Sequence, residues 1–65
     1  MEHKTEELEE AKRQINSVLH KLREVIKTLE AKENPQRYKA QITLAGRRIA
    51  AFEIALELIE REMES

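Results

Sequence analysis

The sequence predicts an all-α protein: an antiparallel two-helix hairpin, with helices over about 5–32 and 35–63, that assembles as a homodimeric antiparallel four-helix bundle. Charged residues make up 38% of the chain and aromatic residues 3%, a composition typical of long helices and coiled coils. Apolar residues recur at alternating steps of three and four along both halves, and a single Asn-Pro step separates them. We expect residues 1–65 to form one helical-hairpin domain.

The first helix begins with a favourable N-terminal turn. Thr5 is predicted to cap it, and Glu6 and Glu7 suit the positive end of the helix dipole. A regular heptad seam then predicts the face that packs on the second helix. The seam consists of Leu8, Ala11, Ile15, Val18, Leu22, Val25 and Leu29. Leu19 and Ile26 are expected to widen this apolar stripe, as in a helix bundle.

The connection between the helices is predicted at Asn34 and Pro35. The first helix should end near Lys32, because proline disfavours a helical conformation in the residue before it. Asn34 is predicted to cap the second helix through its side chain, and Pro35 suits the first helical position. So short a linker favours antiparallel neighbours.

The second helix is predicted to have two apolar faces. Its main seam, which should pack on the first helix, consists of Tyr38, Ile42, Ala45, Ile49, Phe52, Leu56, Ile59 and Met63. A second line lies roughly opposite and consists of Ala40, Leu44, Arg47, Ala51, Ile54, Leu58 and Arg61. An exposed apolar patch usually marks a contact surface. We therefore predict an interface with a second copy through Leu44, Arg47, Ala51, Ile54, Ala55 and Leu58; the alternative is that these are scattered surface residues.

The distribution of charge favours an antiparallel dimer. The net charge is −4 over residues 1–11, +7 over 12–48 and −4 over 49–65, so a hairpin has a basic turn and acidic open ends. Antiparallel packing centred on Ala51 would bring Leu44 near Leu58 of the second copy. Arg47 is then expected to reach Glu53 or Glu57 of that copy and to fix the register.

Gly46 and Glu57 give two local expectations within the second helix. Glycine inside a helix costs ~1 kcal/mol relative to alanine, so Gly46 predicts close approach by another helix. Glu57 lies one turn before Arg61, and the spacing predicts an ion pair.

Catalytic and metal-binding motifs are absent from the sequence. Its two histidines, His3 and His20, do not supply the three or four ligands of a useful metal site, and the chain has no cysteine. It also has no glycine-rich phosphate loop and no serine elbow. The acidic pairs at helical spacing predict solvated carboxylates rather than an acid–base centre. The sequence therefore predicts no enzyme activity, no metal and no cofactor.

Two functions are compatible with this sequence. The first is a non-enzymatic protein-interaction module: a small homodimeric helical bundle that acts as a regulator or adaptor, with itself and another protein as partners. The alternative is an RNA- or DNA-binding hairpin that uses a basic face of the first helix. Its candidate contacts are Arg13, His20, Lys21, Arg23 and Lys27. A sequence pI near 6.1 and few aromatic residues weigh against nucleic acid, and a solvated face is the simpler interpretation.

The sequence gives weak indications of location. The absence of cysteine fits a reducing compartment. The first ten residues, MEHKTEELEE, do not resemble a signal peptide, and no apolar run approaches the length of a membrane span. We expect a cytoplasmic protein with no membrane partner.

Overall fold

The chain folds as a helical hairpin. The computed structural model describes residues 4–64, with α1 at Thr5–Glu30, a short 3-10 helix at Pro35–Tyr38 and α2 at Lys39–Glu64. The two long helices pack against each other in a body that measures 47 × 15 × 14 Å. No strand occurs in the described range, so the prediction of an all-helical hairpin is confirmed.

The predicted side-chain cap of α1 is wrong. Lys4 occupies the position before the helix, and Thr5 is already its first residue. The side chain of Lys4 makes no capping bond; its backbone carbonyl accepts from the N–H groups of Glu7 and Leu8, at 3.0 and 3.1 Å. Glu6 and Glu7 lie in the first turn as expected, where their negative charge interacts favourably with the positive end of the helix dipole.

The connection between the helices is longer than the sequence predicts, because residues 31–34 separate α1 from the element that begins at Pro35. α1 ends at Glu30, about two residues early, and the N–H of Ala31 donates to the carbonyl of Lys27 at 3.2 Å. Pro35 begins a 3-10 turn rather than an α-helical one, as is frequent at helix ends. The side chain of Asn34 makes no capping bond; its backbone carbonyl accepts from the N–H of Arg37 at 3.1 Å.

The predicted seam of α2 and the preceding turn is confirmed. Ala45 is 5% exposed, and the other seven seam positions are partly buried. This regular burial over some 25 residues requires that α2 keep one face against α1 for its whole length.

The seam of α1 differs from the prediction by one step of the heptad. Leu19 is the most buried large side chain at 2% exposure and Ile26 is partly buried, whereas Val18 and Val25 are 37% and 46% exposed. The predicted and the observed seam share Leu8, Ile15, Leu22 and Leu29. The predicted seam is apolar throughout, and the observed one is apolar except at Lys12. Leucine and isoleucine bury more apolar area than valine, which favours the observed rotation of the helix.

Gly46 has no close neighbour. A methyl group added at its Cα would meet no atom within 4 Å outside the local helix, and its backbone is not in the left-handed region. No other helix of this chain therefore approaches closely at Gly46, and close approach by a helix of a second copy stays a prediction. The glycine is exposed on α2.

Candidate self-association surface

Two ion pairs between the helices identify one long side of the hairpin. The Arg23 guanidinium donates from Nη2 to Oε2 of Glu53 at 2.9 Å, and Nζ of Lys12 lies 3.6 Å from Oε2 of Glu60. We call this side, defined by Lys12, Arg23, Glu53 and Glu60, the ion-paired flank. The two members on each helix lie within about 20° of each other at 100° per residue, so both pairs are on the same side of the hairpin.

The exposed apolar side chains lie on the opposite long side. At about 100° per residue, Val18 and Val25 lie about 140–160° around α1 from Arg23, and Leu44 lies about 180° around α2 from Glu53. A shallow groove on this side is lined by side chains of both helices: Glu7, Leu8 and Ala11 of α1 and Ile59 of α2. We call this side the apolar flank. Its members are Val18 and Val25 of α1 and Leu44, Ala51, Ala55 and Leu58 of α2.

The apolar flank exposes large side chains that a monomer normally buries. Val18, Val25, Leu44 and Leu58 are between 37% and 57% exposed. Ala51 is exposed and Ala55 is partly buried, and their small side chains keep the surface between the two leucines low. A contiguous apolar surface of this kind is a candidate contact site for another helix.

The six interface residues predicted from sequence are divided by the structure. Ala55 and Leu44 lie about 90–110° around α2 from the side that faces α1, and Ala51 and Leu58 about 130–150°, so these four extend from the apolar flank toward the back of the helix. Arg47 and Ile54 lie about 170° around α2 from the side that faces α1, which is the back of the helix. Ile54 is the most exposed of the large apolar residues at 59%. Val18 and Val25, which the sequence assigned to the core, join the flank instead.

The carboxylates expected to receive Arg47 have partners within the chain. Glu53 binds Arg23, and Oε1 of Glu57 accepts from Nη2 of Arg61 at 2.6 Å, which confirms the predicted pair one turn apart. Both glutamates project toward the ion-paired flank rather than toward the apolar flank. The contact between Arg47 and a glutamate of a second copy therefore remains a prediction, and one that the placement of Glu53 and Glu57 disfavours.

The basic face proposed for nucleic acid is interrupted. Its five residues are all exposed. However, Arg13 donates to Glu10 and Arg23 to Glu53, so two of its charges are balanced within the chain. Lys21 projects toward the apolar flank, and only His20 and Lys27 continue as a line along the outer side of α1.

The turn half of the hairpin has cations with no local counter-ion. Within residues 4–64, the six Lys and Arg side chains from 27 to 48 form no ion pair, whereas four of the remaining cations do. These six are Lys27, Lys32, Arg37, Lys39, Arg47 and Arg48. The basic end predicted from the sequence is therefore also the end whose charge is not balanced by contacts.

The described part of the chain has no enclosed polar site. No polar or charged side chain between residues 4 and 64 is buried, and no three His, Cys, Asp or Glu side chains there lie close enough to hold a metal ion. His3 lies outside the described residues. No helix in this range is long and apolar enough to cross a membrane. The apolar flank is thus the surface feature that most requires an explanation.

Comparison with known proteins gives no relative. No protein-family model, no curated protein and no solved structure matches this chain.

The structure adds Val18 and Val25 to the site, and the sequence contained a signal for them. Val18–Leu19 and Val25–Ile26 are adjacent apolar pairs one heptad apart. Only one member of each pair can face α2, so the other must lie about 100° away, on a flank of α1. A four-helix bundle needs such a second face, because each helix has two neighbours about 90° apart.

Proposed function

We propose that this chain is a non-enzymatic protein-interaction module that pairs with a second copy as an antiparallel four-helix bundle and acts as a small regulator or adaptor. The observation that carries the proposal is the position of Val18, Val25, Leu44 and Leu58 on one flank of a two-layer hairpin. Burying these side chains against a second copy would give each helix a second apolar neighbour, as in a four-helix bundle.

The size of the flank supports the same proposal. A whole face of the hairpin, 47 Å long and 15 Å wide, has a projected area of about 700 Å², close to the ~800 Å² per partner of a standard protein interface, and the span from Leu44 to Leu58 covers about 21 Å of its length. Oligomerisation is one way in which short chains compensate for a limited core. This 65-residue chain has no disulfide, and only three side chains of the described range are buried.

In this dimer the ion-paired flank of each hairpin points outward. Its side chains, Lys12, Arg23, Glu53 and Glu60, already satisfy one another across the two helices. The outer faces are therefore polar, and they are the surfaces that remain for a further protein partner in the adaptor role.

Sedimentation equilibrium tests the proposal. At micromolar concentrations we expect a helical species with twice the 7.7 kDa mass of the chain. Leu44→Glu combined with Leu58→Glu should give a monomer, because two charges per chain would enter an apolar contact. The matched control is Ser17→Glu combined with His20→Glu on the outer side of α1, which should leave the mass doubled. A helical wild-type monomer would refute the proposal.

A further inference from the structure

We propose that the two copies pair like with like, α1 against α1 and α2 against α2, each antiparallel, with the twofold axis passing beside Ala51 and between Val18 and Val25. This inference rests on the dimer proposed above and specifies its partner contacts. It commits to a second copy of this chain as the occupant of the apolar flank.

The pattern on α2 is symmetric about Ala51. Leu44 and Leu58 each lie seven residues from it, or about 10 Å at 1.5 Å per residue, on the same side of the helix. A second α2 that runs in the opposite direction through Ala51 would set Leu44 against the partner's Leu58 twice. The small side chain at the centre lets the two helices approach closely there.

The pattern on α1 has its own centre. Val18 and Val25 are separated by one heptad, so their midpoint lies between Lys21 and Leu22. A second α1 that runs in the opposite direction through this point would set Val18 against the partner's Val25 twice. Lys21 lies farther around α1 than either valine, so its long side chain can reach solvent at the rim of the contact.

A single twofold axis can pass through the α1 centre and the α2 centre only if the two centres lie at the same height along the hairpin. The Arg23–Glu53 pair places Ala51 level with about residue 25, and the Lys12–Glu60 pair places it level with about residue 21. The groove formed by Leu8, Ala11 and Ile59 places it level with about residues 16–19. The α1 centre, between residues 21 and 22, lies inside this range, so a single axis can serve both helices.

Charge distinguishes this arrangement from the other twofold packing of the same flanks. An axis along the bundle would pair α1 with α2 of the second copy and bring both turns to one end. The six unbalanced cations of each turn would then lie together, with the acidic termini at the opposite end. The like-with-like arrangement instead sets each basic turn beside the acidic open end of the partner, and like-charge contact is a strong selector of orientation.

Cysteine cross-linking separates the two packings, because the chain has no cysteine of its own. Ala51→Cys should form a disulfide-linked dimer with itself under mild oxidation. An equimolar mixture of Val18→Cys and Val25→Cys should form the mixed dimer in preference to either self-linked one. We expect at least about tenfold more product than from the outward control Ser17→Cys, because facing thiols have a high effective concentration.

The outcomes separate this inference from the dimer itself. If the chain is a monomer by sedimentation, the proposed function fails first. If the mass is doubled but Ala51→Cys links to Val18→Cys or Val25→Cys in mixtures and not to itself, the bundle stands and the like-with-like pairing is overturned. A dimer of unchanged mass in which no Ala51→Cys product forms overturns it as well.

Discussion

The two flanks of this hairpin differ in whether their side chains have partners within the chain. Both run the length of the helix pair, and both combine residues of α1 and α2. On the ion-paired flank, Arg23 and Lys12 find carboxylates on the neighbouring helix, at 2.9 and 3.6 Å. On the apolar flank, Val18 and Leu58 have no comparable partner and stay 37% and 57% exposed. This difference is the basis for proposing that a second copy covers the apolar flank, whereas the ion-paired flank is satisfied within the single chain.

The largest expected effect comes from placing a charge on the apolar flank. Ala51→Glu should weaken the dimer by about 3–5 kcal/mol, because two new carboxylates would meet at the centre of a contact that excludes water. Ser17→Glu, on the outer side of α1, is the matched control and should have little effect. Sedimentation equilibrium measures both. Equal association of the two variants would remove the distinction between the flanks.

The contact between the helices should show the next largest effect, and two adjacent residues test it. Leu19→Ala removes the most buried side chain and should lower the free energy of unfolding by about 2–4 kcal/mol. Val18→Ala should act chiefly on association, so that its melting temperature equals that of the wild type in dilute protein and falls below it as the concentration rises. Thermal melts followed by circular dichroism at several concentrations would compare them. If Val18→Ala lowered the melting temperature more than Leu19→Ala at every protein concentration, the result would contradict the observed rotation of α1.

Gly46→Ala should stabilise the hairpin. The added methyl group meets no atom outside the local helix within 4 Å, and alanine is favoured over glycine inside a helix by ~1 kcal/mol. Denaturant unfolding should give a gain of about 0.5–1 kcal/mol. Because the glycine lies off the apolar flank, the dissociation constant should not change. A loss of association would place Gly46 in a contact that the like-with-like dimer does not contain.

The smallest effect is expected on the ion-paired flank. A double-mutant cycle with Arg23→Ala and Glu53→Ala should give a coupling of about 0.2–1 kcal/mol, because both side chains are more than half exposed. The coupling should fall as salt is added. A coupling well above this range would show that the pair has a larger role in holding the helices together than its exposure implies.

Much of the fold could be predicted from the sequence, because it depends on periodicity. The seam of α2 needs only the spacing from Tyr38 to Met63, and the break at Pro35 needs only the chemistry of proline. The caps could not be predicted in the same way. At Lys4 and Asn34 the backbone carbonyl accepts the first bonds, an alternative that depends on how tightly the chain turns.

The residues that share the candidate surface could be predicted only in part from the sequence, and the reason is geometric. Periodicity gives the face on which a residue lies within its own helix, and this was sufficient for Leu44, Ala51 and Leu58. It does not give the rotation of one helix against another when two seams are both apolar, as with Val18 and Leu19. It also does not show that Glu53 projects toward Arg23, which only the packed hairpin determines.

In the proposed dimer, the segregation of charge along the hairpin would also affect the rate at which two copies meet. The basic turn and the acidic termini lie at opposite ends of a 47 Å rod, so each molecule carries a large electric dipole along its length. Two such dipoles attract in the antiparallel orientation before the apolar flanks touch, which raises the rate of productive encounters. The Debye length is about 8 Å at physiological ionic strength, so salt should slow association while the dissociation rate changes little. The charged ends would then act on the speed of assembly, and the apolar flank on its lifetime.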